Sequence, residues 1–222
     1  MKFSLVALAA ALALGAAVTG CAATEPAGTH AAMASSAAAA TTTAPKLHAA
    51  MRGLWHGHIV ATRDYALAVH AGNAAAEQKA EAAVIDNAKQ IAHAVGGFYG
   101  ASAGDATLKA LGGHWGGVKA LTLAAKAHDA AAEQKAMDEL AANATAIAQF
   151  FAGANPQNWT VGQLQGALLM HVGDHKQQVD AMMANAPAAQ QAELWAGMEH
   201  HMNMIADVLA DGLAKQFPAK AS

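Results

Sequence analysis

A seven-residue segment occurs twice in this chain, and the repeat constrains the fold more than any other feature of the sequence. Residues 74–80 read Ala-Ala-Ala-Glu-Gln-Lys-Ala and recur letter for letter at 130–136. Asn87 then recurs as Asn143, at the same distance from the repeated segment. Alanine is the strongest helix former, and its small side chain lets helices approach closely. The repeat therefore indicates a helical unit that has been duplicated.

Apolar residues recur at helical spacing from residue 46 onward, and turn signals interrupt this pattern several times. The segment from Thr160 to Gln163 is typical of a capping box, and Pro187 suits the first turn of a helix. No alternating pattern predicts a strand. The sequence therefore predicts an all-α fold, an antiparallel helical bundle of three repeated hairpins. Six helices are expected, roughly at 46–71, 74–96, 104–128, 130–152, 160–185 and 188–216.

The N-terminus is typical of an exported protein. Lys2 precedes an apolar run from Phe3 to Val18, and small residues lead to Cys21, the only cysteine. These features predict a secretory signal peptide, since the apolar run is shorter than the ~20 residues of a membrane-spanning helix. The stretch from Val18 to Cys21 resembles the lipobox of bacterial lipoproteins. That resemblance implies cleavage before Cys21 and a diacylglycerol on its thiol, with Ala22 favouring the outer membrane. The alternative is an ordinary signal peptide with an incidental cysteine.

Composition divides the chain into three parts: a signal peptide at 1–20, an Ala/Thr/Ser-rich flexible tether at 21–45, and a helical domain at 46–218. We expect the domain to be held by its lipid at the outer membrane, facing the periplasm. The net charge is −3 and only 13% of residues are charged, so no basic surface for nucleic acid is indicated. No protein partner is indicated.

Histidine and methionine are both unusually frequent for a chain with so few charged residues: there are 12 histidines and 10 methionines. A histidine recurs about 15 residues before the turn of each predicted hairpin, and an asparagine or histidine follows about 14 residues after it. At ~1.5 Å per residue, both positions reach the same height in the bundle. The pattern predicts one polar layer across the core, made of His56, Asn87, His114, Asn143, His171 and His201. His58 points away from His56 and is expected in solvent.

Two interpretations of this layer remain open. Its imidazoles could converge on a transition metal, for which all-histidine sites suit zinc, copper, nickel or iron. Copper and zinc are favoured, and the methionines at 198–204 add thioethers that favour copper(I). Alternatively, the layer only fixes the register of the helices through hydrogen bonds. The expected metal ligands are His56, His114, His171, His175 and His201, supported by Asn87, Asn143 and Glu199.

Other chemistries find less support. Non-covalent haem remains an alternative, while covalent haem would need a Cys-x-x-Cys-His motif that the sequence lacks. A di-iron carboxylate site would need Glu-x-x-His pairs, which are also missing. There is no Gly-x-Ser-x-Gly elbow, and the single thiol is assigned to the lipid. The sequence therefore favours a non-catalytic protein, for binding or for structure, over an enzyme.

Four short segments resemble, in the same order, a family of small bacterial helical proteins. They are Leu54 to His56, Ala61 to Tyr65, Asn155 to Trp159 and Asp211 to Pro218. The resemblance covers most of residues 50–218 and implies an all-helical domain, with attention on the six residues of the polar layer. It implies no ligand. Some members carry a glycosyltransferase label, which this sequence does not support because it lacks an α/β pattern for a nucleotide sugar.

Overall fold

The computed structural model describes residues 44–221, and it confirms the predicted all-α bundle. The predicted signal peptide, Cys21 and nearly all of the tether lie outside the described residues. The described part contains α1 (Pro45–Ala71), α2 (Ala74–Tyr99), α3 (Ala101–Ala127), α4 (Ala130–Ala154), α5 (Val161–Met183) and α6 (Ala188–Gln216). Over 44–221, none of these helices combines the length and the apolar character needed to cross a bilayer.

Three of the helices form the inner part of the bundle. Consecutive helices pack against each other, and α6 returns to α1, so that the bundle closes. In addition, α1, α3 and α5 contact one another, which places these three helices at the centre. Because each hairpin is antiparallel, the three inner helices run in the same direction. Side chains at equivalent positions of α1, α3 and α5 can therefore meet at one level on the bundle axis.

The duplicated hairpin turns use equivalent residues as caps. Gly72 ends α1 with a φ of 64°, and His128 ends α3 with a φ of 56°. The following residues, Asn73 and Asp129, begin the next helices, and their side chains accept hydrogen bonds from backbone N–H groups of the first turn. Thr160 caps α5 in the same way, accepting from the backbone N–H of Gln163. These caps explain why the helices begin and end close to the predicted residues.

The boundary between α2 and α3 differs from the prediction. We expected the glycines near residue 96 to end α2, but it continues to Tyr99, and α3 begins three residues earlier than predicted. Gly96 and Gly104 are interior helix residues that face each other: a Cβ on Gly104 would lie 3.0 Å from the carbonyl oxygen of Ala92. The glycines thus permit a close approach of two helices, and Gly100, with a φ of 93°, makes the turn.

Two partly buried hydrogen bonds hold the duplicated hairpins in register. Asn87 Nδ2 donates to the backbone carbonyl of Leu54, 33 residues earlier, at 2.9 Å. Asn143 Nδ2 donates in the same way, at 3.0 Å, to the backbone carbonyl 33 residues before it. A glycine faces each amide, because a Cβ on Gly57 or Gly113 would lie 2.8 Å from the asparagine nitrogen. The next residue along each inner helix is a histidine. The asparagines therefore fix the backbone height of the histidines that follow.

Candidate metal centre

Four buried histidines converge on the bundle axis. His58 comes from α1, His114 from α3, and His171 and His175 from α5. One ring nitrogen of each lies within 4.8 Å of those of the other three. Each residue is at most 5% exposed. The three inner helices therefore place four imidazoles in one small volume away from solvent.

The spacing of the two histidines on α5 brings their rings together. Residues four apart lie on the same face of a helix, one above the other. The Nε2 atoms of His171 and His175 are 3.1 Å apart, and their ring centroids are 4.4 Å apart. The ring of His114 is stacked on that of His171, with centroids 5.6 Å apart and an interplanar angle of 20°. The ring of His58 lies 5.7 Å from that of His171.

The hydrogen-bonding capacity of this cluster is not used up within the protein. The contact between His171 and His175 accounts for one nitrogen of each ring. His114 Nε2 and His171 Nδ1 are buried and have no hydrogen-bond partner in the described part of the chain. Buried polar groups in folded proteins are almost always partnered. A set of buried imidazoles with free nitrogens differs from the satisfied polar layer that a purely structural role would require.

Burial keeps the four imidazoles neutral. It lowers the pKa of His114 to about 4. Burial, with a smaller effect from the neighbouring His114 ring, lowers the pKa of His58 to about 3. The pKa values of His171 and His175 lie well below 6.5, mainly through burial and then through the surrounding imidazoles. At neutral pH each ring therefore has a lone pair, the form in which histidine ligates metals.

His201 lies next to the cluster but is not one of the four converging groups. It is buried on α6, and its ring centroid is 6.5 Å from that of His171. Its Nδ1 lies 2.7 Å from Oδ2 of Asp174. Because α6 packs outside the three inner helices, the His201 side chain reaches the edge of the histidine cluster and not its centre. Asp174 is a neighbour of the site that the sequence reasoning missed.

The prediction that His56 faces the core is wrong. Its side chain is 52% exposed, and its Nε2 lies 3.1 Å from Oε1 of Glu199, whose side chain is 36% exposed. Glu199 is thus a surface partner of His56 and does not support the cluster. The prediction that His58 lies in solvent is also wrong. The two errors have one cause, because residues two apart on a helix are separated by about 200°, so only one of them can face the axis.

The sequence contained a signal for His58. The repeated segments begin at 74 and 130, and Asn87 and Asn143 keep the same offset of 56 residues. This offset relates His114 to His58. The prediction of His56 followed the Leu-x-x-His pattern of the other two copies, which the first copy matches only loosely. The longer repeat was therefore the better guide to the register.

The two asparagines of the predicted layer have a structural role. Both use their amide nitrogens to bind backbone carbonyls, and neither forms a hydrogen bond with a histidine of the cluster. Asn87 is buried, and Asn143 is partly buried. Both interpretations of the polar layer thus apply, but to different residues: the asparagines set register, and the histidines form a candidate metal site.

Comparison with known proteins adds no assignment. No family model, no curated protein and no solved structure matches this chain. The resemblances to bacterial lipoproteins and to small bacterial helical proteins therefore stay predictions.

Proposed function

We propose that this protein binds one transition-metal ion through His58, His114, His171 and His175. The observation that carries the proposal is the convergence of four buried ring nitrogens within 4.8 Å of one another. In a tetrahedral site with metal–nitrogen bonds of about 2.0–2.1 Å, the nitrogens lie roughly 3.3 Å apart. The His171–His175 pair, at 3.1 Å, is already close to that value. Small rotations of the other two rings would complete the site.

The chemistry of the four ligands fits a borderline or soft ion. Imidazole is a good ligand for zinc and copper, and hard ions such as Mg²⁺ and Ca²⁺ prefer oxygen. Because the rings are neutral, a metal ion would not have to displace protons at neutral pH. Copper and zinc therefore remain the favoured ions.

The geometry favours a bare ion over haem. In haem with two histidine ligands, the imidazoles bind on opposite faces of the porphyrin, and the four equatorial nitrogens belong to the porphyrin itself. Here four imidazole nitrogens share one small volume. Two of these histidines come from the same helix, so their nitrogens occupy space that a porphyrin ring would need. We therefore rank haem below a metal ion.

The test is the metal content of the purified full-length chain. We expect one equivalent of copper or zinc in the wild type and in His56→Gln, a surface control. We expect the loss of that metal in His114→Gln and in His175→Gln, with helix content and thermal unfolding recorded for each variant. Cobalt(II) substituted into the wild type should give the intense visible absorption of a tetrahedral site. Equal metal content in all four proteins would refute the assignment of ligands.

A metal-free result would support the alternative function. If the wild type binds neither copper, zinc nor iron on titration, the cluster is part of the architecture, and the protein is better described as a structural or interaction protein. A Soret band on addition of haem, lost in His171→Gln, would support the haem alternative instead.

We also propose that the metal-binding domain is held at the cell envelope by a lipid on Cys21. The support is the sequence from Val18 to Cys21 and the apolar run before it. The membrane, contacted through this lipid, is then the partner that the sequence indicates.

A further inference from the structure

An apolar cavity of about 290 Å³ lies beside the histidine cluster, between α4, α5 and α6. Leucine, isoleucine and aromatic side chains form most of its wall, including Trp55 from α1. His201 lines the same cavity. The centroid of the His201 ring lies 6.5 Å from that of His171, a member of the cluster. The cavity therefore leads from the outer helices towards the proposed metal site.

Two exposed methionine side chains line this cavity. Of the eight methionines at described positions, only Met170 and Met204 are exposed, at 58% and 45%. Both line the cavity, Met170 from α5 and Met204 from α6. A long apolar side chain gains stability by burial, so packing does not account for their position in solvent. Placing both exposed methionines at one cavity, together with a histidine, gives three soft or borderline ligands around one space.

His201 has the environment of a metal ligand. Its Nδ1 lies 2.7 Å from Oδ2 of Asp174, so this nitrogen carries the proton and donates to the carboxylate. In the neutral ring the other nitrogen, Nε2, then has a free lone pair. Histidines that bind metals commonly donate their second nitrogen to a carboxylate in this way, which orients the ring and raises its basicity.

We propose that Met170, Met204 and His201 form a copper(I) acquisition site that loads the four-histidine centre. This inference rests on the proposed function, and it names the ion. Thioethers suit copper(I), and they are not among the usual ligands of zinc, which are thiolate, imidazole and carboxylate. The four histidines are neutral, so they leave the charge of a bound ion uncompensated, and a monovalent ion is easier to bury than a divalent one. Transfer is a ligand exchange from the thioethers to His201 and then to His171, without a change in oxidation state.

The first test is the rate of copper(I) transfer to the full-length chain from a coloured copper(I) chelator. In the double variant Met170→Leu, Met204→Leu, we expect transfer to slow by about tenfold, the lower end of the loss seen when supporting groups of a metal site are removed. The final copper content should stay at one equivalent. Zinc(II) loading should keep its rate. The matched control is Met137→Leu, Met183→Leu, which removes two half-buried methionines packed against a different core cluster.

The outcomes separate this inference from the proposed function. If the wild type takes up neither copper(I) nor zinc(II), or if His114→Gln keeps a full equivalent, the four-histidine centre itself is refuted. A wild type that binds zinc(II) but no copper(I) keeps the centre and refutes the acquisition site. If the wild type loads normally and the Met170/Met204 variant loads equally fast, the centre stands and the acquisition site is refuted. A slower rate in the Met137/Met183 control as well would show that methionine loss acts through packing, and it would overturn the proposal.

A second measurement looks at the ligands directly. The variant His58→Gln, His114→Gln lacks half of the central ligands. Copper(I) supplied in excess should then be held only weakly, at the acquisition site, and should be lost when the excess is removed. Before that removal, X-ray absorption should show sulfur neighbours around copper, and these should disappear when Met170→Leu and Met204→Leu are added. A spectrum with nitrogen ligands alone in the first of these variants would overturn the proposal.

Discussion

Acidification should strongly destabilise the metal-free protein, because four histidines are held neutral in the fold. In the unfolded chain their pKa is about 6.5. In the folded protein it is about 3 for His58 and about 4 for His114, and it is well below 6.5 for His171 and His175. Between these values the unfolded chain binds more protons than the folded chain. The stability that depends on these four neutral histidines is therefore fully present above pH 6.5 and is lost as the pH falls below it.

The magnitude follows from the number of groups. Each neutral buried histidine removes about 1.4 kcal/mol of stability for each pH unit below 6.5, until its folded pKa is reached. At pH 5.5 the four histidines together cost on the order of 5 kcal/mol relative to pH 7.5. Since a typical domain has a net stability of about 5–15 kcal/mol, this loss is a large part of the total. The metal-free protein should thus approach unfolding in mild acid.

The assay is urea unfolding of the full-length chain between pH 7.5 and 5, with excess chelator. His114→Gln should lower the slope of stability against pH by about one quarter, because it removes one of four protonation events. His93→Gln, which removes an exposed histidine outside the cluster, should leave the slope unchanged. The carboxyl of Asp207, whose pKa is lowered mainly by its hydrogen bond from Arg52, titrates below this window. A stability that is constant from pH 7.5 to 5.5 would refute the reasoning.

Three further predictions concern other parts of the molecule. Asn87→Ala removes the hydrogen bond to the Leu54 carbonyl and should lower the free energy of unfolding by about 1 kcal/mol in urea titrations; no change would argue against the register role. His128→Gly relieves a φ of 56° that its counterpart Gly72 adopts freely. It should raise stability by about 0.5–1 kcal/mol, since the strain of a left-handed residue, ~1–2 kcal/mol, exceeds the entropy cost of glycine; a loss would contradict this. Cys21→Ser should abolish labelling by a radioactive fatty acid in the producing bacterium, and full labelling would exclude Cys21 as the lipid site.

The sequence predicted the fold well, because the fold depends on local signals. Helical periodicity, the repeated segment and caps such as Thr160 are all properties of short stretches. Between residues 44 and 221 the structure confirms six helices in the expected order. The main error in the boundaries concerned Gly96 and Gly104. Their role is to let two helices approach, and this depends on which helices pack together. A sequence pattern alone cannot distinguish such a contact from a break.

The candidate site was predicted less completely, because it depends on rotation and depth. His114, His171 and His175 were selected correctly as inward-facing, and all three belong to the cluster. Predicting His56 instead of His58 as the inward-facing residue is equivalent to rotating α1 about its own axis by more than half a turn. The prediction for His201 concerned only its height along the bundle axis, which it was expected to share with the other histidines. Its distance from the axis depends on α6 being an outer helix, and that follows only from the tertiary packing.

A threefold repeat cannot by itself provide four ligands, and the third hairpin shows how the chain departs from symmetry. One turn after its cluster histidine, α1 has Thr62, whose hydroxyl binds carbonyls of its own helix, and α3 has Val118. At the same place α5 has His175. On α6, His201 occupies the place that the register-setting asparagines have on α2 and α4, and it pairs with Asp174. The duplicated hairpins thus supply a frame with one histidine each, whereas the fourth proposed ligand, the carboxylate-paired histidine and both exposed methionines of the described chain lie in the third. Divergence concentrated in one copy is what the proposed metal site would require on a symmetric scaffold, since packing alone would be satisfied by three equal copies.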